Sequence, residues 1–439
     1  MSQFSGLKSY PVSVASQDIP NAWLSSNDPR VASCGKKIVS IASQNGTQSA
    51  GGTLSFLLPS NMGSGMLASG SAYIRATITT TQATALSYQF RQYGSASSVV
   101  NRMTFLASGS IVEQILNYNK LYASLLLHGS SPAFATNDDT INQCTLGGAD
   151  AVPDGSQTAA LVSTVRVCIP VILGAFNSKV HLPLFLLNSA QLNVDLDSAV
   201  AAITNIVAAN TVSYTVSDAQ LVFEQLTPDA QYEMALKQML GQRLFQLPIS
   251  TFYNVKVGST AGALTQNIGL NASSVRAVLW NQILTADDVA GGGSQFVANA
   301  QTQAQLFLDG QLVNQNSLDT TLTTGNPQQC FLEMNRCLNV MWDSNVVSVA
   351  PAVYTGGNAI AAASFAAANI SRALYVEGAY LGGISTQKSN EQGFNMKGVP
   401  VNTAVLQLTA AGNASTVYIY VALEQVITID QMGSASLIR

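Results

Sequence analysis

The sequence predicts a mainly β protein built as two tandem eight-stranded jelly-roll β-sandwiches with flanking helices. Three observations lead there. Short β-branched runs recur along the chain, separated by Gly, Ser, Thr and Asn. The 439 residues exceed one ordinary domain and suit two of roughly 200. Features of the first half return in the second, in the same order.

Residues 1–35 hold Pro11, Pro20 and Pro29 with little periodicity and read as an extended N-terminal arm. A first jelly roll is expected over 36–226. Its strand signals are "KKIVSIA" from Lys36, "TLSFLLP" from Thr53, "AYIRATITT" from Ala72, "STVRVCIPVIL" from Ser163, "HLPLFLLNSAQLNVDLDSA" from His181 and the long closing "TVSYTVSDAQLVFEQL" from Thr211. Between the third and fourth of these, "GSIVEQILNYNKLYASLLLHG" (109–129) places Ile111, Ile115, Tyr118, Tyr122 and Leu125 at helical spacing, so the whole stretch is expected to be one amphipathic helix. Its role would be to brace a barrel or blunt a sheet edge. A polar loop follows, from about His128 to Gln157.

A linker helix is expected over 227–242. Thr227 suits the N-cap, Pro228 the first helical position and Asp229 the positive dipole end; Tyr232, Leu236, Met239 and Leu240 form a stripe, and Gly241 ends it. The second jelly roll, 243–439 with a short C-terminal tail, carries "RLFQLPISTFYNVKV", "VRAVLWNQIL", "AQLFLDGQLV", a helix in "CFLEMNRCLNVMWD" (330–343), and the last strand "STVYIYVALEQVITID". There Val417, Ile419, Val421 and Leu423 alternate with Tyr418, Tyr420, Ala422 and Glu424, which reads as a strand with one core face.

The repeat lies in particular residues. "FLASGSIVEQ" from Phe105 resembles "FLDGQLVNQ" from Phe307 with one residue deleted, and "NSAQLNVDL" from Asn188 resembles "NTAVLQLTA" from Asn402. Both offsets are near half the chain, as a duplicated domain requires. The helix at 330–343 fits the repeat less well, because it starts farther past Phe307 than the first helix starts past Phe105.

Composition bears on function. Charged residues make up only 10%, against about 25% in typical soluble domains. Ser, Thr, Asn, Gln, Gly and Ala fill the deficit. A surface so poor in charge is weakly protected against association, which favours burial against further copies of the chain. Net charge is -4 and the densest basic run is Lys36-Lys37, so no direct nucleic-acid binding is expected. Cys34, Cys144, Cys168, Cys330 and Cys337 include no CxxC and read as free thiols. The opening residues carry no apolar signal-peptide core, and no apolar run approaches the roughly 20 residues of a membrane span. The sequons at Asn45, Asn271, Asn369 and Asn413 are therefore expected to stay unmodified.

Chemistry-bearing constellations are missing, and no enzyme, catalytic residue, cofactor or metal is expected. His128 and His181 form no zinc pattern. "GSGMLASGS" (63–71) and "GGGS" (291–294) lack the Lys-Ser/Thr of a phosphate loop. Asp138-Asp139 and Asp287-Asp288 read as solvated turns. Asn193, Asp195 and Asp197 share one strand face; the reading preferred is the outer face of a strand whose inner face is Leu192, Val194 and Leu196, and the alternative is a calcium site at a subunit interface. Trp23, Trp280 and Trp342 read as core or interface anchors.

The "FLASGSIVEQILNYNKL" segment, the "HLPLFLLNSAQLNVDL" stretch, the helix "TPDAQYEMALKQML" and the closing "VYIYVALEQVITI" together resemble the double jelly-roll major capsid proteins of tailless icosahedral double-stranded DNA viruses. That lineage includes adenovirus hexon; the likeness is to the capsid proteins of algal large DNA viruses, virophages and polinton-like viruses. The resemblance implies a homotrimer of pseudo-hexameric outline that tiles a shell with neighbouring capsid trimers and with minor capsid or penton proteins. It also implies a virion location after synthesis in the host cytoplasm or nucleus. The arm would tie neighbours together or reach inward, and contact with an internal membrane stays open. The alternative is a tandem β-sandwich that binds carbohydrate or a cell surface, as an adhesin or lectin does.

Overall fold

A computed structural model describes residues 34–60, 63–82, 88–90, 96–129, 162–205, 212–240, 244–285, 296–299, 301–314, 317–319, 327–338, 380–387, 398–410, 412–430 and 432–438. Residues 1–33 of the expected arm, residues 130–161, both Asp-Asp pairs, the GGGS run, Cys144, Trp23 and Trp342 lie outside these residues.

The first half presents β1 (Gly35–Ala42), β2 (Thr53–Leu57), β3 (Tyr73–Gln82), β4 (Val100–Ala107), β5 (Ser110–Leu116), helix α1 (Tyr118–Gly129), β6 (Val162–Pro170), β7 (Gln191–Leu196) and β8 (Val212–Thr227). Helix α2 (Ala230–Leu240) follows. The second half presents β9 (Phe245–Ser259), β10 (Leu264–Ile268), β11 (Ala272–Leu284), β12 (Gln301–Leu308), β13 (Gln311–Leu312), helix α3 (Pro327–Leu338), β14 (Gly382–Ser385), β15 (Ala404–Ala410), β16 (Ser415–Ile429) and a final β17 (Ala435–Ile438).

The pairing is the same in both halves. One sheet runs β1-β8-β3-β6 and its partner β2-β7-β4-β5; then β9-β16-β11-β14 and β10-β15-β12-β13. In each half the first strand pairs with the eighth, the eighth with the third and the third with the sixth; the second pairs with the seventh, the seventh with the fourth and the fourth with the fifth. All these pairings are antiparallel. This is a jelly roll, made twice. Helices α1 and α3 both fall between the fifth and sixth strands, so the two helices are equivalent after all. Residues 313–326 separate β13 from α3, whereas only Asn117 separates β5 from α1.

Cores lie between the paired sheets. In the first half, Phe56, Leu192 and Phe105 stand side by side across three strands, and Leu54, Val194 and Met103 form the next row. The inner face expected of β7 is thus the one observed. Phe105 meets Phe176 edge to face, with ring centroids 5.3 Å apart. In the second half Trp280 is fully buried, and Gly382 is pressed flat against its indole: a Cβ there would lie 2.2 Å from a ring carbon. The indole Nε1 donates to the Tyr380 hydroxyl at 3.2 Å.

The residues that carry the repeat perform the same task twice. Ser108 and Gly109, then Asp309 and Gly310, have positive φ and make two-residue turns that join the fourth strand to the fifth. The first hairpin also carries a bulge on β5: Phe105 pairs with Glu113 and Leu106 with Ile111, which leaves Val112 as the extra residue. The first turn residue ties the hairpin to the loop before the seventh strand: Ser108 N donates to Asn188 O at 2.8 Å, and Asp309 N to Thr403 O at 2.9 Å. The Asp309 carboxylate also accepts from the amides of Thr403 and Asn402, and these bonds hold its pKa below the ordinary aspartate value.

Three local expectations change. Residues 110–116 form strand β5, not the first turns of a helix. The left-handed Ser108-Gly109 pair starts a hairpin, and cross-strand bonds to β4 outweigh the chance helical spacing: Ile111 is exposed while Ile115 is buried. Only after Asn117, itself at positive φ, does the helix begin. Thr227 ends β8 instead of capping a helix; the Asp229 carbonyl accepts the first α2 bonds, from Tyr232 and Glu233. Tyr232 and Leu236 are buried as the stripe expects. Finally, β16 is buried on both faces from Ser415 to Val421, with Tyr418 and Tyr420 inaccessible.

Because a lowered carboxylate pKa marks an ionised form favoured by folding, the Asp309 contribution is complete above the ordinary aspartate value of about 3.9 and disappears as pH falls through the folded value. Urea midpoints measured between about pH 7 and about pH 3 are therefore expected to fall less steeply in Asp309→Asn than in the unsubstituted chain.

Candidate functional site

The second face of β16 is covered by the first half. Helix α1 lies across the outer side of the β9-β16-β11 sheet, and polar side chains from both jelly rolls meet there. Asn117 Nδ2 donates to Asn254 Oδ1 at 2.6 Å, and the Tyr420 hydroxyl donates to the Asn117 carbonyl at 3.4 Å. One helical turn on, Lys120 sits 5.7 Å from the centre of the Tyr418 ring, which Lys256 approaches at 5.3 Å. A further turn on, Asn281 Nδ2 donates to Ser124 Oγ at 2.8 Å, both side chains buried. Asn117, Lys120 and Ser124 form one stripe at helical spacing. The neighbouring stripe, Tyr118, Leu121 and Tyr122, is buried, and Tyr118 and Tyr122 stack at 5.9 Å.

Burying an ammonium costs several kcal/mol unless it is compensated. The Lys120 side chain is 3% exposed, and its partner is Asp197 at 3.5 Å. This shows where the sequence-selected acidic group goes. Asp197 lies one residue past the end of β7, not on its face, and also accepts from Asn119 Nδ2 at 2.8 Å and Ser198 N at 2.9 Å. Asp195 accepts from Thr53 Oγ1 at 2.6 Å and pairs with Arg102. Asn193 accepts from Ser55 Oγ at 3.0 Å and from Gln191 Nε2 at 2.7 Å. The carboxylates are spent on internal cations and hydroxyls, and no group of three or more His, Cys, Asp or Glu able to hold a metal occurs among the described residues.

Two more contacts close the seam. Glu113 of β5 is buried, and its carboxylate accepts from Gly174 N at 2.7 Å and Ala175 N at 2.8 Å. Burial pushes its pKa up, against the lowering effect of the Thr251 hydroxyl and these two amides. Gly174 lies against β9 so closely that a Cβ would meet Ser250 O at 2.3 Å. At the C-terminal end, the Gly433 carbonyl accepts from Asn188 N at 2.9 Å and from Ser108 Oγ at 3.3 Å. The turn before β17 is thereby pinned to the repeat motif of the first half. Nothing in the sequence flagged Glu113 or Gly174; a glutamate inside an apolar strand was the available signal.

The remaining residues singled out in the sequence are structural. His181 Nδ1 accepts from Ser69 N at 3.1 Å, and burial lowers its pKa. His128 is buried in α1. Cys34, Cys168, Cys330 and Cys337 form no disulfide with one another, and burial raises the Cys337 thiol well above the ordinary value. Among the described residues no helix is long and apolar enough to cross a membrane.

No family model and no curated protein sequence matches the chain. Solved structures do. The chain is similar over 93% of its length, and over 97% of the other chain, to the VP54 protein of PBCV-1 fitted into a reconstruction of the virophage Sputnik, at 14% identity and a TM-score of 0.58. It is similar to the major capsid protein of mavirus at 11% identity and a TM-score of 0.54, covering 93% and 90% of the two chains. It is similar to the Faustovirus major capsid protein at 7% identity and a TM-score of 0.57, covering 92% of each. The fold is therefore the double jelly roll of these capsid proteins, over more than nine-tenths of the chain.

The seam makes two stability predictions. Glu113→Ala leaves the Gly174 and Ala175 amides without their acceptor and is expected to cost about 3 kcal/mol in urea denaturation. Gly174→Ala forces backbone apart at Ser250 and is expected to cost about 2 kcal/mol in the same measurement.

Proposed function

We propose that this chain is the major capsid protein of an icosahedral double-stranded DNA virus, a structural shell subunit and not an enzyme. The observation that carries the reading is the eight-strand jelly-roll pairing made twice, in a chain that matches three viral capsid-protein structures over nine-tenths of its length. The chain is organised as an arm over 1–35, a first jelly roll over 36–226, a linker over 227–242 and a second jelly roll over 243–439. Three copies assemble into a homotrimer with six barrels, and neighbouring trimers, with minor capsid or penton proteins, complete the shell. The arm ties neighbours together or reaches inward, and the product resides in the virion after synthesis in the host cytoplasm or nucleus.

The low charge supports the reading. Side-to-side packing of subunits desolvates broad surfaces, and uncharged hydroxyl and amide groups cost far less to desolvate than ions. No observation favours the carbohydrate-binding alternative: among the described residues the tryptophan is in the core, not on a surface platform.

Size-exclusion chromatography with light scattering is expected to return three times the chain mass, and negative-stain images are expected to show particles of hexagonal outline. A monomer at all concentrations overturns the trimer.

A further inference from the structure

Helix α2 buries a carboxylate that the contact between the jelly rolls does not use. Glu233, the fourth residue of the helix, is 2% exposed. Its Oε2 accepts from Gly63 N at 2.8 Å, in the turn after β2. Its Oε1 is shut off from solvent and meets no hydrogen-bond donor among the described residues. The turn is held in place from the other side. Gln225 Nε2 donates to Ser64 O, and Gly65 lies so close to the end of β8 that a Cβ would meet Leu226 O at 2.1 Å.

A carboxylate so placed is costly unless a cation reaches it. One amide and the positive end of α2 supply only part of the compensation. Described cations close to Glu233 in the fold are engaged elsewhere or face water: Lys36 pairs with Glu224 at 2.8 Å, and Lys237, one helical turn on, is exposed.

The chain ahead of β1 can supply the missing charge. Strand β1 pairs with β8 so that Gly35 stands opposite Thr227, and residues 1–33 therefore join the fold at the root of α2. Cys34 lies close to that helix: burial, and after it the Cys34 charge, push the Tyr232 hydroxyl up. Residues 1–33 hold two cationic side chains, Lys8 and Arg30. Arg30 precedes Cys34 by four residues, a tether of at most about 14 Å, while Glu233 stands about 4.5 Å along the helix axis from Ala230. The tether to Lys8 is 26 residues long, and closing it costs more entropy. A guanidinium also suits the place. It stays charged when desolvated, and its fork can give one N–H to Oε1 and others to backbone carbonyls.

We infer that Arg30 pairs with Glu233 Oε1 and fastens the root of the N-terminal arm to the linker helix of its own copy. Residues 1–29 are then the part of the arm left to reach beyond the subunit. The pair needs neither the trimer nor the shell.

The test uses the full-length chain and trypsin, which cuts after both arm cations. In the unsubstituted chain, cleavage after Arg30, followed by intact mass, is expected to be at least about tenfold slower than cleavage after Lys8. In Glu233→Gln, which keeps an acceptor for the Gly63 amide but loses the charge, the two rates are expected to converge. Should that variant fail to fold, Arg30→Met decides: it is expected to lower the urea midpoint, whereas Lys8→Met leaves it unchanged. Equal cleavage at the two sites in the unsubstituted chain, protection of Arg30 that persists in Glu233→Gln, or an unchanged midpoint in Arg30→Met overturns the inference. Protection lost on dilution to single-subunit mass assigns the cation to another copy's arm and overturns it as well.

Discussion

The closing strand of the second half, β16, is buried on both faces over its first half, and much of the architecture follows from that constraint. A sheet face that carries Tyr418, Tyr420, Asn254 and Asn281 needs a cover that is apolar enough to pack and polar enough to satisfy the amides and hydroxyls. Asn117 and the start of helix α1 meet the polar part of that need on one stripe, through Asn117, Lys120 and Ser124. The cation it brings must itself be compensated, which commits Asp197 and the end of β7 to the seam. A residue that resembled a metal ligand in the sequence is thus an anchor for the contact between jelly rolls.

The two halves share a frame and differ in what covers it. Turn geometry, strand order and the tie from the fourth-to-fifth-strand hairpin to the loop before the seventh strand are common to both. The outer sheet faces have diverged. Aromatic and amide groups occupy the one that is covered within the chain, and threonines the one that is not. Threonine on a strand satisfies two demands at once. It favours the extended backbone, and its hydroxyl tolerates water in a free subunit while costing little to dehydrate at an interface.

Low charge has the same logic at the scale of the whole chain. With 10% charged residues, ion pairs are few enough that each described one has a specific place: Lys120 with Asp197 in the seam, Arg102 with Asp195 across β4 and β7, Arg276 with Glu424 across β11 and β16, Arg336 with Glu333 along α3, and Lys36 with Glu224 at the sheet edge. Exposed pairs such as the last contribute about 1 kcal/mol or less, so hydrophobic cores and backbone pairing hold each jelly roll together.

Much of the fold was legible in the residues because it rests on local physics. Strand periodicity located most of the long strands, the Ser108-Gly109 and Asp309-Gly310 turns marked the repeat, and alternation identified Leu192, Val194 and Leu196 as an inner face. What failed did so where local and long-range signals compete. Residues 110–116 have helical spacing, yet pairing with β4 makes them a strand, because a hairpin already closed by its turn gains cross-strand bonds that helical spacing cannot match. Asn193 and Asp195 stand on the outer face of β7 as expected, whereas Asp197 lies past the strand end and turns to Lys120, a partner far away in the chain. The sequence alone determined strands, turns and a duplicated plan, since these depend on neighbours in the chain. Which sheet face is covered, and by which helix, was decided only in three dimensions, because burial of Tyr418, Tyr420 and Glu113 depends on residues far away in the chain.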